Sequence, residues 1–281
     1  MRYDLHIHTA ASDGSDTPAQ LAEKVLAAGL ALFSVTDHDT VDGALAMEPL
    51  VPEGVGYIRG VEFSCVSPGG KCHILGYGYD PAHPQFRAAL EEGARLRREK
   101  LERRLVHLRE KFGILLTEGE LRWLHSLKSP GKPHLGKLLV ERGLAPDRNS
   151  AIKTYLSGIP GRDRIDAGTA IDGIRAAGGI AVWAHPLGGE GEKRLTEAQF
   201  EELLAVLISD GIQGLECHYS RYSRAESAFL LRHAHDRGLI VTGGSDYHGS
   251  NKKGIVLGQL GTEIAVYSID TAPLSGIILQ K

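Results

Sequence analysis

Short apolar runs punctuate the chain at 3–8, 32–36, 57–63, 73–77, 180–184, 214–217 and 239–243, and each reads as a β-strand. Between several of them, Ala, Leu, Glu and Lys recur at helix spacing, over 18–28, 169–177, 197–207 and 223–237. Alternating strand and helix units predict a mostly parallel sheet, open or closed into a barrel. The stretch 84–168 breaks the rhythm. It opens with a long charged helix over 85–111 and continues with helical pieces around 117–123, 132–141 and 149–156. No strand is expected inside it, so it reads as a helical insertion. The flanking segments, 1–83 and 169–281, then make one α/β domain.

Composition narrows the function classes. The chain has 281 residues with 42% hydrophobic and 24% charged, which suits a globular protein with a sizeable core. A net charge of -3 gives no electrostatic case for a dedicated nucleic-acid surface or a membrane-surface binder. Three cysteines, Cys65, Cys72 and Cys217, are too few for a disulfide scaffold. The chain opens Met-Arg-Tyr-Asp-Leu-His without an apolar signal segment, and it holds no apolar run of membrane-spanning length. A cytoplasmic location is expected.

The chemistry lies at the strand ends. The first strand carries His6 and His8 and is followed by Asp13. Asp37-His38-Asp39 follows the second, Glu62 sits in the third, His73 begins the fourth, His185 ends the fifth, and Asp246 and His248 follow the last. Strand ends form the active-site face of parallel α/β architectures. Residues two apart on a strand project to one side, so His6 and His8 converge, as do Asp246 and His248 if the strand runs on. Glu62 lies between Val61 and Phe63, and a carboxylate among apolar neighbours needs compensation that a metal ion supplies. One His-x-His is more often a surface or core pair, but a series at successive strand ends is not scatter. His83, His107, His125, His233 and His235 fall in loops and helices and read as surface or packing residues.

Imidazole and carboxylate together suit Zn, Mn, Fe or Co rather than Mg or Ca. The candidate ligands His6, His8, Asp13, His38, Glu62, His73, His185, Asp246 and His248 are too many for one ion with open positions. They are enough for two or three divalent ions (Mn, Zn or Fe), with Glu62 as the bridge. Such ions bind phosphoryl or carbonyl oxygens and lower the pKa of water, so that hydroxide attacks near neutral pH.

Asp4-Leu5-His6-Ile7-His8-Thr9, Ser12-Asp13-Gly14, Thr36-Asp37-His38-Asp39, Gly60-Val61-Glu62, His73-Ile74-Leu75-Gly76, Ala184-His185-Pro186 and Gly244-Ser245-Asp246-Tyr247-His248 occur in this order. In this series the chain resembles the polymerase and histidinol phosphatase (PHP) family of metal-dependent phosphoesterases. The resemblance implies a distorted (β/α)7 TIM-like barrel with an inserted helical subdomain and a trinuclear site. It implies one metal on His6, His8, Glu62 and Asp246, a second on Glu62, His73 and His185, and a third on Asp13, His38 and His248. The stand-alone branch with a helical insertion is most similar. That resemblance implies hydrolysis of small phosphorylated metabolites, nucleotide or sugar phosphate mono- or cyclic diesters, by a metal-bound hydroxide. Alternatives within the branch are a nucleoside 3′,5′-bisphosphate phosphatase and a 5′-3′ exoribonuclease acting on short RNA ends.

The resemblance also implies that the insertion caps the site. Lys132 and Arg98 would bind phosphate, with Arg95 and Arg103 as further positions, and His134 would bind phosphate or protonate the leaving oxygen. His134 also reads as a cap on the helix that follows, and the arginines as a solvated face. The segment Ser157-Gly158-Ile159-Pro160-Gly161-Arg162 departs from nucleotide-handling relatives. Tyr219, Arg221 and Tyr222 could touch substrate or begin a helix. Two further hypotheses remain: an amidohydrolase-like enzyme, which normally needs a strand-end Lys absent from these motifs, and a non-catalytic metal domain, which would lose ligands that this chain keeps.

Overall fold

The computed structural model describes residues 2–161, 164–189, 193–262 and 271–279. Strands β1 (Tyr3–Ile7), β2 (Leu32–Val35), β3 (Gly56–Ser67), β4 (Gly70–Tyr77), β6 (Ile180–Trp183), β7 (Gly214–Tyr219) and β8 (Ile240–Gly244) are hydrogen-bonded in that order. The two-residue strand β5 (Ile165–Asp166) pairs off this path with β3. Beyond β8, Ile7 bridges Tyr247, with His8 N donating to Tyr247 O at 2.8 Å and Asp246 N to His6 O at 2.8 Å. The circle closes, and the expected distorted barrel is present.

The sheet is parallel except at β4, which runs antiparallel to both neighbours. A parallel crossover needs a dozen or more residues, whereas only Pro68 and Gly69 separate β3 from β4. Gly70 follows them at φ 138, a region that only glycine enters readily. The hairpin register sets Glu62 opposite Leu75 and Ser64 opposite His73. Glu62 and His73 are therefore diagonal neighbours on one face.

Helices α1 (Pro18–Ala27), α7 (Ala167–Ala176), α8 (Glu197–Ser209) and α9 (Arg224–Asp236) follow their strands within a residue or two of the expected bounds. Thr17, Asp166, Thr196 and Ser223 cap them by accepting from the backbone N–H three residues on. A short helix, α2 (Asp42–Met47), has no counterpart in the sequence pattern. On β3, Val61 and Phe63 pack in a core that includes Ile171 and Ile174 of α7, which leaves Glu62 for the other face.

The long charged segment forms α3 (Pro84–Phe112), then α4 (Glu118–Ser126), α5 (Lys132–Glu141) and α6 (Arg148–Tyr155). These helices have their own core, with Leu101, Leu108, Leu124, Leu135 and Leu139 all buried. The first turns of α3 instead bury Phe86, Ala89 and Leu96 in the barrel core. The expectation of no strand within 84–168 fails at β5: Cys65 and Val66 offer an open edge of β3, and Ile165 and Asp166 pair with it.

Candidate metal centre

The strand ends bring the nine expected residues into one pocket. His6 and His8 leave β1 on the same side, and Asp246 and His248 follow β8. Glu62 lies beyond the last β2–β3 pairing, where its neighbour is the isolated bridge to His38. The reversal of β4 explains why His73, near that strand's start, reaches the same rim as the C-terminal ends of the parallel strands.

Glu62 is the hub. Its Oε1 lies 2.7 Å from His73 Nδ1 and 3.2 Å from His185 Nε2. Its Oε2 lies 2.8 Å from His38 Nδ1, 3.3 Å from His8 Nε2 and 3.4 Å from His6 Nε2. Asp246 Oδ1 is 3.4 Å from His8 Nε2 and 3.7 Å from His6 Nε2. Asp13 Oδ1 is 3.1 Å from His248 Nε2 and 3.8 Å from His8 Nδ1. Ligand atoms of His8, Asp13, His38 and His248 lie within 4.8 Å of one another, as do those of His6, His8 and Asp246, and those of His38, Glu62 and His73. His8 thus faces two groups, and His38 approaches Glu62 more closely than it does Asp13, whose Oδ2 is 4.0 Å from His38 Nε2.

These donors fit divalent cations. His8 Nδ1, His38 Nδ1 and Glu62 Oε2 are buried and make no directed hydrogen bond, although His38 and Glu62 almost touch. Lone pairs aimed into a shared space, not at partners, are what a cation needs. Burial alone would raise the Glu62 carboxyl, but His38, His73 and His6 outweigh it and hold it well below the carboxylate range. The same contest, against His248 and His38, holds Asp13 down. For Asp246, Lys252 and His248 overcome burial. Burial lowers His38 to about 4 despite Glu62 and Asp13, and lowers His248 too. Ionised carboxylates beside neutral imidazoles are the ligating forms. His6 and His8 differ: the Glu216, Glu62 and Asp246 charges overcome burial and hold His6 well above the usual imidazole range, and hydrogen bonds to Asp246 and Glu62 raise His8 to about 9.

The supporting residues are as ordered as the hub. Asp37 accepts from Thr9 N at 2.8 Å, Thr9 Oγ1 at 2.6 Å and Ser12 Oγ at 2.5 Å, fixing the loop that carries Asp13. The described non-glycine residues with left-handed backbone are Asp39, His185 and Asp246, all at this rim. Asp39 accepts from Ser64 N at 2.9 Å and Arg97 Nε at 2.8 Å, and Asp246 Oδ2 from Tyr219 OH at 2.9 Å. Residues held in such conformations cluster at functional sites.

Positions in the insertion fared less evenly. Lys132 opens α5 and, with Lys71, Arg164, Lys193, His73 and His185, lines a cavity of about 440 Å³. His134 Nδ1 accepts from Gly131 N at 3.0 Å, the capping arrangement, and burial lowers its pKa despite the Asp13 charge nearby. Arg98 is exposed; one residue earlier, Arg97 turns inward to Asp39 and to Ser64 Oγ at 2.8 Å. Arg95 is spent on Glu92 and Glu99 at the surface, and Arg103 flanks Gly161. Arg162 lies outside the described residues. Tyr219 holds Asp246, and Tyr222 OH accepts from Leu187 N at 2.8 Å, so both are buried supports.

Glu216 went unseen in the sequence. It is buried on β7, accepting from His6 Nδ1 at 2.9 Å and from His185 N at 2.7 Å. Its signal was available, since Leu215 and Cys217 flank it as Val61 and Phe63 flank Glu62.

No family model matches the chain. Among curated proteins it is 31% identical over 264 residues to the 3′,5′-nucleoside bisphosphate phosphatase of Chromobacterium violaceum, covering 91% of this chain and 90% of that protein. It is 32% identical over 263 residues to the 5′-3′ exoribonuclease of Haemophilus influenzae, covering 88% and 90%. It is 32% identical over 257 residues to the phosphoribosyl 1,2-cyclic phosphate 1,2-diphosphodiesterase of Eggerthella lenta, covering 88% and 94%. A Bifidobacterium adolescentis structure described as a metal-dependent phosphoesterase superposes with a TM-score of 0.82 at 26% identity, covering 98% of this chain and 94% of that one. A C. violaceum structure described as an amidohydrolase, with sulfate bound and no metal, also scores 0.82 at 28% identity, covering 100% and 98%. The barrel alone accommodates either description, because fold does not fix chemistry. Full-length similarity to phosphatases and phosphodiesterases separates the two, and with it the chain belongs to the PHP family of metal-dependent phosphoesterases and hydrolyses phosphoric esters.

Proposed function

We propose that the nine clustered residues hold two or three divalent ions, Mn, Zn or Fe, and that the insertion 84–168 caps a site for small phosphorylated metabolites. The carrying observation is Glu62: one buried carboxylate with five imidazole nitrogens within 3.4 Å, its two oxygens divided between His73 and His185 on one side and His6, His8 and His38 on the other. Bound there, the ions would bind phosphoryl oxygens and lower the pKa of water so that hydroxide attacks near neutral pH. Lys132 supplies a point charge to the substrate phosphate. His134, whose Nδ1 accepts from Gly131 N, would bind phosphate or protonate the departing oxygen.

The test is hydrolysis of a phosphate-ester panel after Mn loading: nucleoside monophosphates, 3′,5′-bisphosphates, short RNA and cyclic sugar phosphates. Turnover of at least one class is expected; none, with metal bound, overturns the reading. The basic lining of the 440 Å³ cavity, with Lys71, Lys132, Arg164 and Lys193, favours substrates carrying a second anionic group, as in the bisphosphates of the C. violaceum relative. Short RNA ends offer the same chemistry. No described helix is long and apolar enough to cross a membrane. The three cysteines are buried, which suits the reducing cytoplasm we infer.

A further inference from the structure

We infer that Glu216 is a positioning residue that sets two candidate ligands at once, fixing the ring tautomer of His6 and the left-handed backbone of His185. The inference rests on the reading of those two histidines as metal ligands. His6 presents Nε2 to Glu62 and Asp246, while its Nδ1 faces away toward Glu216 Oε1 at 2.9 Å. A carboxylate only accepts, so Nδ1 carries a proton, and it is the Nε2 proton that a binding cation displaces, which turns the Nε2 lone pair toward the pocket. The second oxygen, Oε2, accepts the His185 backbone N–H at 2.7 Å, at a residue with φ 30. The two imidazoles lie nearly parallel, 20° apart with centroids separated by 5.8 Å.

Backbone irregularity supports the arrangement. The β7–β8 register shifts between Glu216 and His218, a bulge of the kind that re-aims a side chain next to active sites. Glu216 itself is fully buried, and both oxygens are occupied, so it orients ligands from behind. Glutamine cannot do this. It has one acceptor oxygen, and its amide would face either His6 Nδ1 or the His185 N–H, donor against donor in the second case and with the His6 tautomer reversed in the first.

The experiment compares wild type with Glu216→Gln and Glu216→Ala in the full chain. Long-range ¹H–¹⁵N NMR of metal-free wild type should show His6 protonated at Nδ1. Mn²⁺ titration calorimetry should show Glu216→Gln losing on the order of 10- to 100-fold in affinity at one site, with its apo melting temperature kept near wild type. If Glu216→Ala fails to fold, the isosteric Gln variant and the wild-type tautomer still decide. His6 protonated at Nε2 and not at Nδ1, or Gln binding Mn²⁺ as tightly as wild type, overturns the inference alone. A wild type that binds no Mn²⁺ overturns the metal reading and this inference with it.

Discussion

The barrel rim and the helical insertion face each other across the same pocket, yet they are built on different terms. At the rim, each carboxylate answers to several partners: Glu62 to five imidazoles, Asp37 to three donors, Glu216 to a ring and a backbone amide. In the insertion, charges mostly pair at the surface, as Arg95 does with Glu92 and Glu99, and such exposed pairs contribute little. The rim is held by several contacts per carboxylate, whereas the insertion is held by its leucine core. On the function proposed above, this division would put the chemistry in the barrel and the choice of substrate in the insertion.

The sharpest way to break the comparison is Glu62→Gln. Removing the shared charge should empty the centre and lower activity by on the order of 10³-fold or more, with metal content by mass spectrometry falling in parallel. Activity lost with full metal content would show that Glu62 does not bridge.

Leu139→Ala should cost about 2–5 kcal/mol of stability through a cavity in the insertion core. Denaturant unfolding reads that loss, while metal bound per chain stays constant if the two regions are as independent as their separate cores imply. Lys132→Ala should raise KM about 10- to 100-fold, the value of a charge-assisted hydrogen bond, and leave metal content intact. Arg98→Ala should change neither, because that side chain is exposed. An equal effect of the two variants would reverse our placement of the cap's contacts.

A smaller effect concerns pH. His218 is buried on β7, and burial lowers its pKa from 6.5 to about 4. The unfolded chain therefore binds more protons across that window, so the stability contribution is present above pH 6.5 and is lost as pH falls toward 4. The slope is at most about 1.4 kcal/mol per pH unit. Urea unfolding at several pH values should show this slope in wild type and a shallower one in His218→Gln.

Strands exposed the centre to sequence reading because their period is two. His6 and His8 had to share a side, and Glu62 between Val61 and Phe63 had to be buried whatever the exact register. Helices hid more. Each residue turns the direction by about 100°, so spacing alone did not tell which of two adjacent arginines turns inward: Arg97 reaches Asp39, while Arg98 is exposed. Glu216 was legible by the argument applied to Glu62, since Leu215 and Cys217 flank it and His218 lies two residues on. The reversal of β4 was legible only through the short Ser67-Pro68-Gly69-Gly70 connection, which went unread, and the two-residue β5 is too short to leave a pattern.

That reversal carries a consequence for how the centre is tuned. Glu62 and His73 belong to one hairpin, joined through Pro68 and Gly69 and locked by Glu62 opposite Leu75. The spacing of hub and ligand is thus graduated by a loop far from the chemistry, like the vernier of a calliper. A single residue added to that loop, with pairing slipped by one, would swing His73 to the barrel's outer wall and put Cys72 or Ile74 in its place.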